Sequence, residues 1–229
     1  MISVIIPTFN AEATLGPALA ALVPAVVNSV VQEAIIVDGG STDATCLIAE
    51  AAGTRLIRVE WGRGRQLDAG AAVARGDWLL FLHADTVLEP GWEEEAQAFT
   101  ERVDAGRRAP SAAAFRFALD DDGLMPRLLE ALVRLRCLIL ALPYGDQGLL
   151  ISRKLYRELG GFRPLPLMED VDLVRRLRRG QRVMLKSHAV TSAQKYRTDG
   201  YLPRMLRNAV CVTLYYLRVP PRVLARLYG

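Results

Sequence analysis

The chain has 229 residues, a formal net charge of +4 and 51% hydrophobic residues, with a mean hydropathy of +0.16. That is the size of one α/β domain with ample core, and no apolar run reaches the ~18–20 residues of a transmembrane helix. Cys46, Cys137 and Cys211 are too scattered for a disulfide framework or a zinc site and read as small buried hydrophobes. Nothing has the form of a zinc finger or an RNA-binding module, so nucleic acid is not an expected partner. Met1 leads into a strand with no basic leader, so a cytoplasmic location is expected.

In chain order, strands are expected at 4–6, 34–37, 56–59 and 78–82, with helices at 11–22, 43–52 and 64–74 between them. This alternation predicts an α/β fold with a parallel sheet and crossover helices. Asn10 and the pair Thr42-Asp43 are expected to cap helix starts. Glu89-Pro90 is expected to open a further helix. A strand follows at 111–119, then the acidic turn Asp120-Asp121-Asp122-Gly123, read as a solvated loop because it lacks the ligand spacing of a calcium site. Leu149 to Ser152 reads as a strand, Gly160-Gly161-Phe162 as the end of a short helix, and 169–179 as another helix. Asp172 and the arginines that follow are read as its solvated face. Residues 128–142 and 201–217 are apolar helices carrying arginine, and 222–228 is a last short helix beyond Pro220-Pro221.

Chemistry is concentrated where apolar runs end at carboxylates. Ile35-Ile36-Val37-Asp38-Gly39-Gly40-Ser41-Thr42-Asp43 and Leu79-Leu80-Phe81-Leu82-His83-Ala84-Asp85 each read as a strand delivering an aspartate to its tip. In open α/β sheets ligands bind outside those tips. A later acidic segment, Met168-Glu169-Asp170-Val171-Asp172, opens a helix, where carboxylates are also common for purely structural reasons.

At these residues the chain resembles the family-2 glycosyltransferases. Ser3-Val4-Ile5-Ile6-Pro7-Thr8-Phe9-Asn10 looks like their opening strand, and Val37 to Asp43 like their nucleotide-binding turn. His83-Ala84-Asp85 stands at their Asp-x-Asp metal motif and Glu169-Asp170 at their catalytic-base motif. Tyr144-Gly145-Asp146-Gln147-Gly148 with Pro164 to Asp170 resembles the subgroup labelled arsenosugar-biosynthesis-type glycosyltransferases. The resemblance implies a GT-A, Rossmann-like fold over 1–195 with a mostly parallel central sheet flanked by helices, and a C-terminal helical extension of the same domain at 196–229. It also implies transfer of one sugar from a nucleotide-sugar donor to a hydroxyl acceptor, small or lipid-linked, with inversion, using Mn²⁺ or Mg²⁺. Asp170 would be the general base and Glu169 would orient the acceptor or a neighbouring backbone group. Pro7, Thr8, Asn10, Asp38, Gly40, Arg65, Ala84 and Asp85 would surround the nucleotide, with Asp38 on its base or ribose and Asp85 on the metal.

Several readings stay open at this level. His83 replaces the first aspartate of the metal motif and could ligate Mn²⁺, contact the sugar or pack, and His188 could approach the same site. One of Arg63 and Arg65 is expected at the nucleotide. Asp146 and Gln147 could touch the donor sugar or the acceptor, and Lys195 and Arg197 the diphosphate. Gln194-Lys195-Tyr196-Arg197 departs from the Gln-x-x-Arg-Trp motif of processive members, which favours a single transfer. The basic, apolar C-terminal helices could pack on the domain, the commoner origin of such a pattern, contact a membrane on its inner face, or form a homodimer. The rivals are a nucleotidyltransferase, disfavoured by the lack of an early Gly-rich segment with a lysine, and a catalytically inactive sugar-nucleotide-binding or membrane-associated protein.

Overall fold

The computed structural model describes residues 1–140, 143 and 145–228. In chain order it comprises β1 (Ile2–Thr8), α1 (Glu12–Ala20), α2 (Val23–Val27), β2 (Val31–Asp38), α3 (Thr45–Ala51), β3 (Arg55–Arg58), α4 (Arg63–Val73), β4 (Trp78–Phe81), β5 (Thr86–Leu88), α5 (Trp92–Asp104) and β6 (Ala112–Leu119). Then come α6 (Leu124–Leu140), β7 (Leu149–Ser152), α7 (Arg153–Glu158), α8 (Glu169–Arg176), β8 (Arg182–Thr191), α9 (Gln194–Asp199), α10 (Tyr201–Tyr216) and α11 (Pro221–Tyr228).

The eight strands form one sheet in the order β3-β2-β1-β4-β7-β6-β8-β5. Four of the seven strand pairings are parallel, and β7 and β5 supply the antiparallel ones. The continuous apolar runs of β1, β2 and β4 follow from burial on both faces of the sheet. Successive side chains alternate between the faces. Val4, Ile6, Ile36 and Leu80 therefore join one core layer with Leu15 and Trp92. Ile5, Ile35, Val37, Leu79 and Phe81 join the other with Leu67 of α4 and Leu173 of α8. Each fully buried aliphatic side chain stabilises by about 1.5–3 kcal/mol. At Gly70 helix and sheet touch: a Cβ there would lie 2.4 Å from Ile5 Cγ2.

Local expectations are corrected in several places. The helix expected at 11–22 is α1 at Glu12–Ala20, and a second short helix, α2, follows it with Pro24 in its first turn. Asn10 does not cap α1: Ala11 is its N-cap, and Asn10 Oδ1 instead accepts from Thr42 N–H at 2.9 Å. Pro90 lies outside α5, whose N-cap is Gly91. The acidic turn is an anchor rather than a solvated loop, because Asp120 accepts from Ala193 N–H at 2.5 Å and Asp121 from Tyr201 Oη at 2.6 Å. Asp172 is buried and pairs with Arg163 at 3.1 Å and Arg176 at 2.8 Å. Arg176 also donates to Gly161 O at 2.7 Å, so it clasps the loop that leads into α8. Residues 141, 142 and 144, which fall in the expected 128–142 helix and in the 144–148 motif, lie outside the described residues.

Small satellite clusters hold the C-terminal helices. One joins Leu129, Val133 and Cys137 of α6 to Phe117, Tyr201 and Met205. Another joins Met168 and Val171 to Cys211 and Leu224. All three cysteines are free thiols.

Candidate functional site

The tips of β2, β1 and β4 stand side by side, since β1 pairs with both neighbours. Asp38 at the end of β2 is 1% exposed. Its Oδ1 accepts from Thr8 Oγ1 at 3.2 Å and Ser41 Oγ at 2.5 Å, and its Oδ2 from the N–H groups of Gly40 and Ser41, both at 2.9 Å. Burial opposes its ionisation, but these donors outweigh that and hold its pKa below the usual carboxylate value. All four contacts are to the chain itself, so Asp38 shapes the turn. Gln66 straps the same tips together, donating to Thr8 O and Val37 O, each at 2.8 Å. Pro7 pairs with Val37 just inside the rim, Gly40 is exposed, and Ala84 is half-buried against the core. Phe9 and Trp61 form an exposed edge-to-face pair beside the turn, with centroids 6.2 Å apart.

Beyond β4 the chain turns outward through His83, Ala84 and Asp85 into a cavity of about 450 Å³. Asp85 meets Asp146, Asp170, Arg63 and Lys195 on its wall. Lys195 Nζ lies 3.3 Å from Asp85 Oδ2. Burial opposes ionisation of Asp85, but the positive charges of Lys195 and Arg63 outweigh it and hold its pKa below the usual carboxylate value. Burial and the Arg63 charge push His83 down to about 4, which leaves a neutral imidazole. Burial, with Asp170 and Asp85 nearby, lifts Asp146 to about 6 against the pull of Arg136. Among the described residues its buried Oδ1 has no hydrogen-bond partner.

Glu169 and Asp170 open α8 and part company. Met168, the N-cap, has φ 66°. Left-handed backbone costs a residue with a Cβ about 1–2 kcal/mol, and the two helical residues that follow point about 100° apart. Asp170 reaches the cavity and accepts from Gly145 N–H at 2.6 Å. Glu169 is 1% exposed and faces Arg63, with Nε 3.4 Å from Oε1. Burial pushes Glu169 up to about 7, against Arg63 and with help from Asp170. Gly145 fits this corner because it lacks a side chain: a Cβ would lie 2.7 Å from His83 Nε2 and 3.0 Å from Asp170 Oδ2.

Four sequence expectations change here. Arg63 rather than Arg65 lines the cavity, and Arg65 turns to Glu60. Gln147 is buried in a structural network, donating to Phe115 O at 3.0 Å and accepting from Cys137 Sγ at 3.3 Å. His188 sits within β8, its Nδ1 2.8 Å from Glu89 Oε2, away from the cavity. Arg197 binds Asp121 at 3.1 Å rather than the cavity wall. The roles of Gln66, of Gly145 as a steric fit and of the Met168 turn carry no sequence signal of their own. Each depends on contacts between segments far apart in the chain.

The model of the family described as Glycosyl transferase family 2 matches residues 3–160. The chain belongs to glycosyl transferase family 2. Among curated family relatives, the glucosyl-3-phosphoglycerate synthase of Mycolicibacterium paratuberculosis is 35% identical over 95 residues, which are 38% of this chain and 29% of that protein. A PGL/p-HBAD biosynthesis glycosyltransferase of Mycobacterium bovis is 39% identical over 101 residues, 38% of this chain and 36% of that protein. The matched stretch thus spans little more than a third of these relatives at most. Among solved structures, glucosyl-3-phosphoglycerate synthase from Mycobacterium tuberculosis with Mn²⁺ and uridine-diphosphate-glucose aligns with a TM-score of 0.66 at 22% identity, covering 96% of this chain and 80% of that one. S. aureus TarS aligns with a TM-score of 0.61 at 16% identity, covering 92% of this chain and 39% of that one. At these identities the likeness establishes the fold, and it is the GT-A, Rossmann-like arrangement of the family.

A divalent cation fits the residues at the β4 tip. Among the described residues no three His, Cys, Asp or Glu side chains form a metal cluster. The donor chemistry is instead one ionised carboxylate, Asp85, already facing a cation in Lys195, with neutral His83 two residues away. Mg²⁺ and Mn²⁺ are commonly held by one or two carboxylates, with phosphate and water oxygens completing the shell.

Proposed function

We propose that this family-2 glycosyltransferase moves a single sugar from a nucleotide donor to a hydroxyl acceptor, with inversion at the anomeric carbon. The observation that carries the reading is the meeting of Asp85, His83 and Asp170 at one cavity corner, beside the hydrogen-bonded turn of Asp38. The turn at Gly40 to Thr42, with Asn10, receives the nucleoside, and the diphosphate lies toward Asp85. Mn²⁺ or Mg²⁺ held by Asp85 would neutralise charge on the leaving diphosphate. Arg63 and Lys195 add positive charge on the same wall. Asp170 takes the acceptor proton, and its hydrogen bond from Gly145 fixes one carboxylate oxygen. Glu169 acts through Arg63 rather than on substrate.

A uridine-diphosphate sugar is the donor to test first, because neighbours of the same fold were crystallised with uridine diphosphate and Mn²⁺. The narrower likeness to the arsenosugar-type subgroup rests on Gly145 to Gly148 and on Pro164 to Asp170. Residues 196–229 serve as a helical extension of the 1–195 domain: α10 walls the cavity, so the extension helps to form the acceptor side. No described helix is long and apolar enough to cross a membrane. The exposed leucines of α6 and α10 support peripheral contact with the inner face of the cell membrane, from the cytoplasm, over a homodimer. The deciding experiment is product analysis with a uridine-diphosphate sugar and Mn²⁺. Release of the nucleoside diphosphate with sugar transfer or slow donor hydrolysis is expected. Release of pyrophosphate would instead make the protein a nucleotidyltransferase, and donor binding without either product would make it an inactive binder.

A further inference from the structure

The cavity has two chemically different ends. One holds His83, Asp85, Asp146 and Asp170. The other is walled mostly by apolar side chains, Leu129 and Val133 of α6 and Met205 and Val212 of α10, with Arg204 and Asn208 of α10 also on the wall. Pro7, Thr8, Asn10, Asp38 and Gly40 are not part of its lining, so the apolar end lies away from the nucleotide turn.

We propose that the apolar end takes the hydrocarbon chain of an amphiphilic acceptor, whose hydroxyl head lies at Asp170. The proposal rests on the sugar-transfer reading of the same site and names its acceptor class. A small polar acceptor gains nothing from apolar walls, whereas a hydrocarbon chain is driven into them from water. The mouth points the same way. Leu132, Ala209 and Thr213 line the cavity and are also exposed, so the apolar end opens to the surface between α6 and α10. Around this mouth the apolar character continues outward. On α6, Leu124 is 79% and Leu138 68% exposed, and on α10 Leu202 is 63% and Leu206 67% exposed. Their spacing places them on outward faces, while Leu129, Val133 and Met205 face in. Exposed leucines on both helices that line the cavity mark this face as an interaction surface.

Charge selects the occupant of that surface. Residues 200–229 contain five arginines and no acidic residue, and Arg218, Arg222 and Arg226 are exposed. Leucine interleaved with arginine suits the interface of an anionic lipid layer. A chain-bearing acceptor lying in that layer has a direct route past Leu132 and Ala209 to Asp170.

The test is calorimetric titration of a homologous series of n-alkanols, hexanol to decanol, into protein holding UDP and Mn²⁺. Affinity should rise about fourfold per methylene until the cavity is filled, the equivalent of ~0.8 kcal/mol per CH₂. Ala209→Trp and Thr213→Trp plug the mouth from exposed positions. They should abolish the chain-length dependence and leave UDP affinity within twofold. Co-sedimentation with phosphatidylglycerol vesicles, weakened by salt, should accompany the wild-type result. A flat alkanol series, or one unchanged in both tryptophan variants, overturns the proposal. So does a concentration-dependent dimer without vesicle binding, because the same face would then be covered by a second copy. Failure of UDP and Mn²⁺ to bind at all would overturn the sugar-transfer reading itself, which keeps the two failures distinct.

Discussion

The two sides of the candidate site are built differently. On the nucleotide side, Asp38, Thr8, Ser41 and Gln66 are tied to one another by short hydrogen bonds over a sheet buried on both faces. On the cavity side, α6 and α8 to α11 hold together through small clusters and anchoring ion pairs such as Arg197 with Asp121. The first arrangement is rigid and satisfied within itself. The second leaves carboxylates with raised pKa values, an Asp146 oxygen without a hydrogen-bond partner among the described residues, and apolar surface facing outward. Rigid, paired groups suit a part that binds one invariant nucleotide, and unsatisfied groups suit a part that must receive an acceptor.

Asp170→Asn should separate the sides most sharply. Loss of a general base costs ~10²–10⁴-fold in rate, while the nucleotide contacts remain. Steady-state transfer should fall over that range with UDP affinity unchanged. Turnover near the wild-type rate would remove Asp170 from the base role.

Gly145→Ala probes the packing of the corner. The new Cβ would meet His83 and Asp170, and forced contacts of this kind cost roughly 1–3 kcal/mol. Thermal melting should report that loss, and transfer should slow as Asp170 is displaced. A variant with wild-type melting and wild-type rate would show that the corner yields freely.

Glu169→Gln addresses the buried acid. The folded-state pKa of Glu169 is raised from 4.5 to about 7. Between those values the folded state binds more protons than the unfolded state, so this group's contribution to stability falls as pH rises. The melting temperature of the Gln variant relative to wild type should therefore climb from pH 5 to pH 8. A constant difference would mean that Glu169 is already ionised at pH 5.

The smallest expected effect distinguishes two arginines. Arg63→Ala should weaken UDP binding, whereas Arg65→Ala should leave it within twofold, because Arg65 meets Glu60 at the exposed surface. Exposed pairs of that kind contribute about 0–1 kcal/mol. Equal losses in both variants would place Arg65 at the nucleotide as well.

The sequence and the structure agree where the signal is local. The apolar runs of β1, β2 and β4 were legible because strands buried on both faces need them, and those of β2 and β4 lead to Asp38 and Asp85. The Asp38 turn stood out for the apolar run that precedes it, and Glu169-Asp170 for its resemblance to the family's base motif, since acids at a helix start are common for structural reasons alone. What stayed hidden depends on tertiary contact. Arg63 and Arg65 are two residues apart on α4 and so point about 200° apart, but only the tertiary positions of Glu169 and Glu60 show which of them faces the cavity. Three-residue β5 has no periodicity to read, and its pairing with β8 draws His188 to Glu89. Gln147 looks like a polar turn residue and is buried because Phe115 O and Cys137 Sγ converge on it. Helix α9 is short and polar, and it is fixed by Asp120 and Asp121 from far along the chain.

The central claim is that Asp85 joins the two sides by holding the cation at the diphosphate. Calorimetric titration of UDP into wild type and Asp85→Asn, with and without Mn²⁺, tests it directly. In wild type, Mn²⁺ should tighten UDP binding by roughly tenfold or more, the scale of effects on a metal site. In Asp85→Asn the metal-free affinity should persist and the enhancement should vanish. Equal enhancement in both proteins would contradict the account.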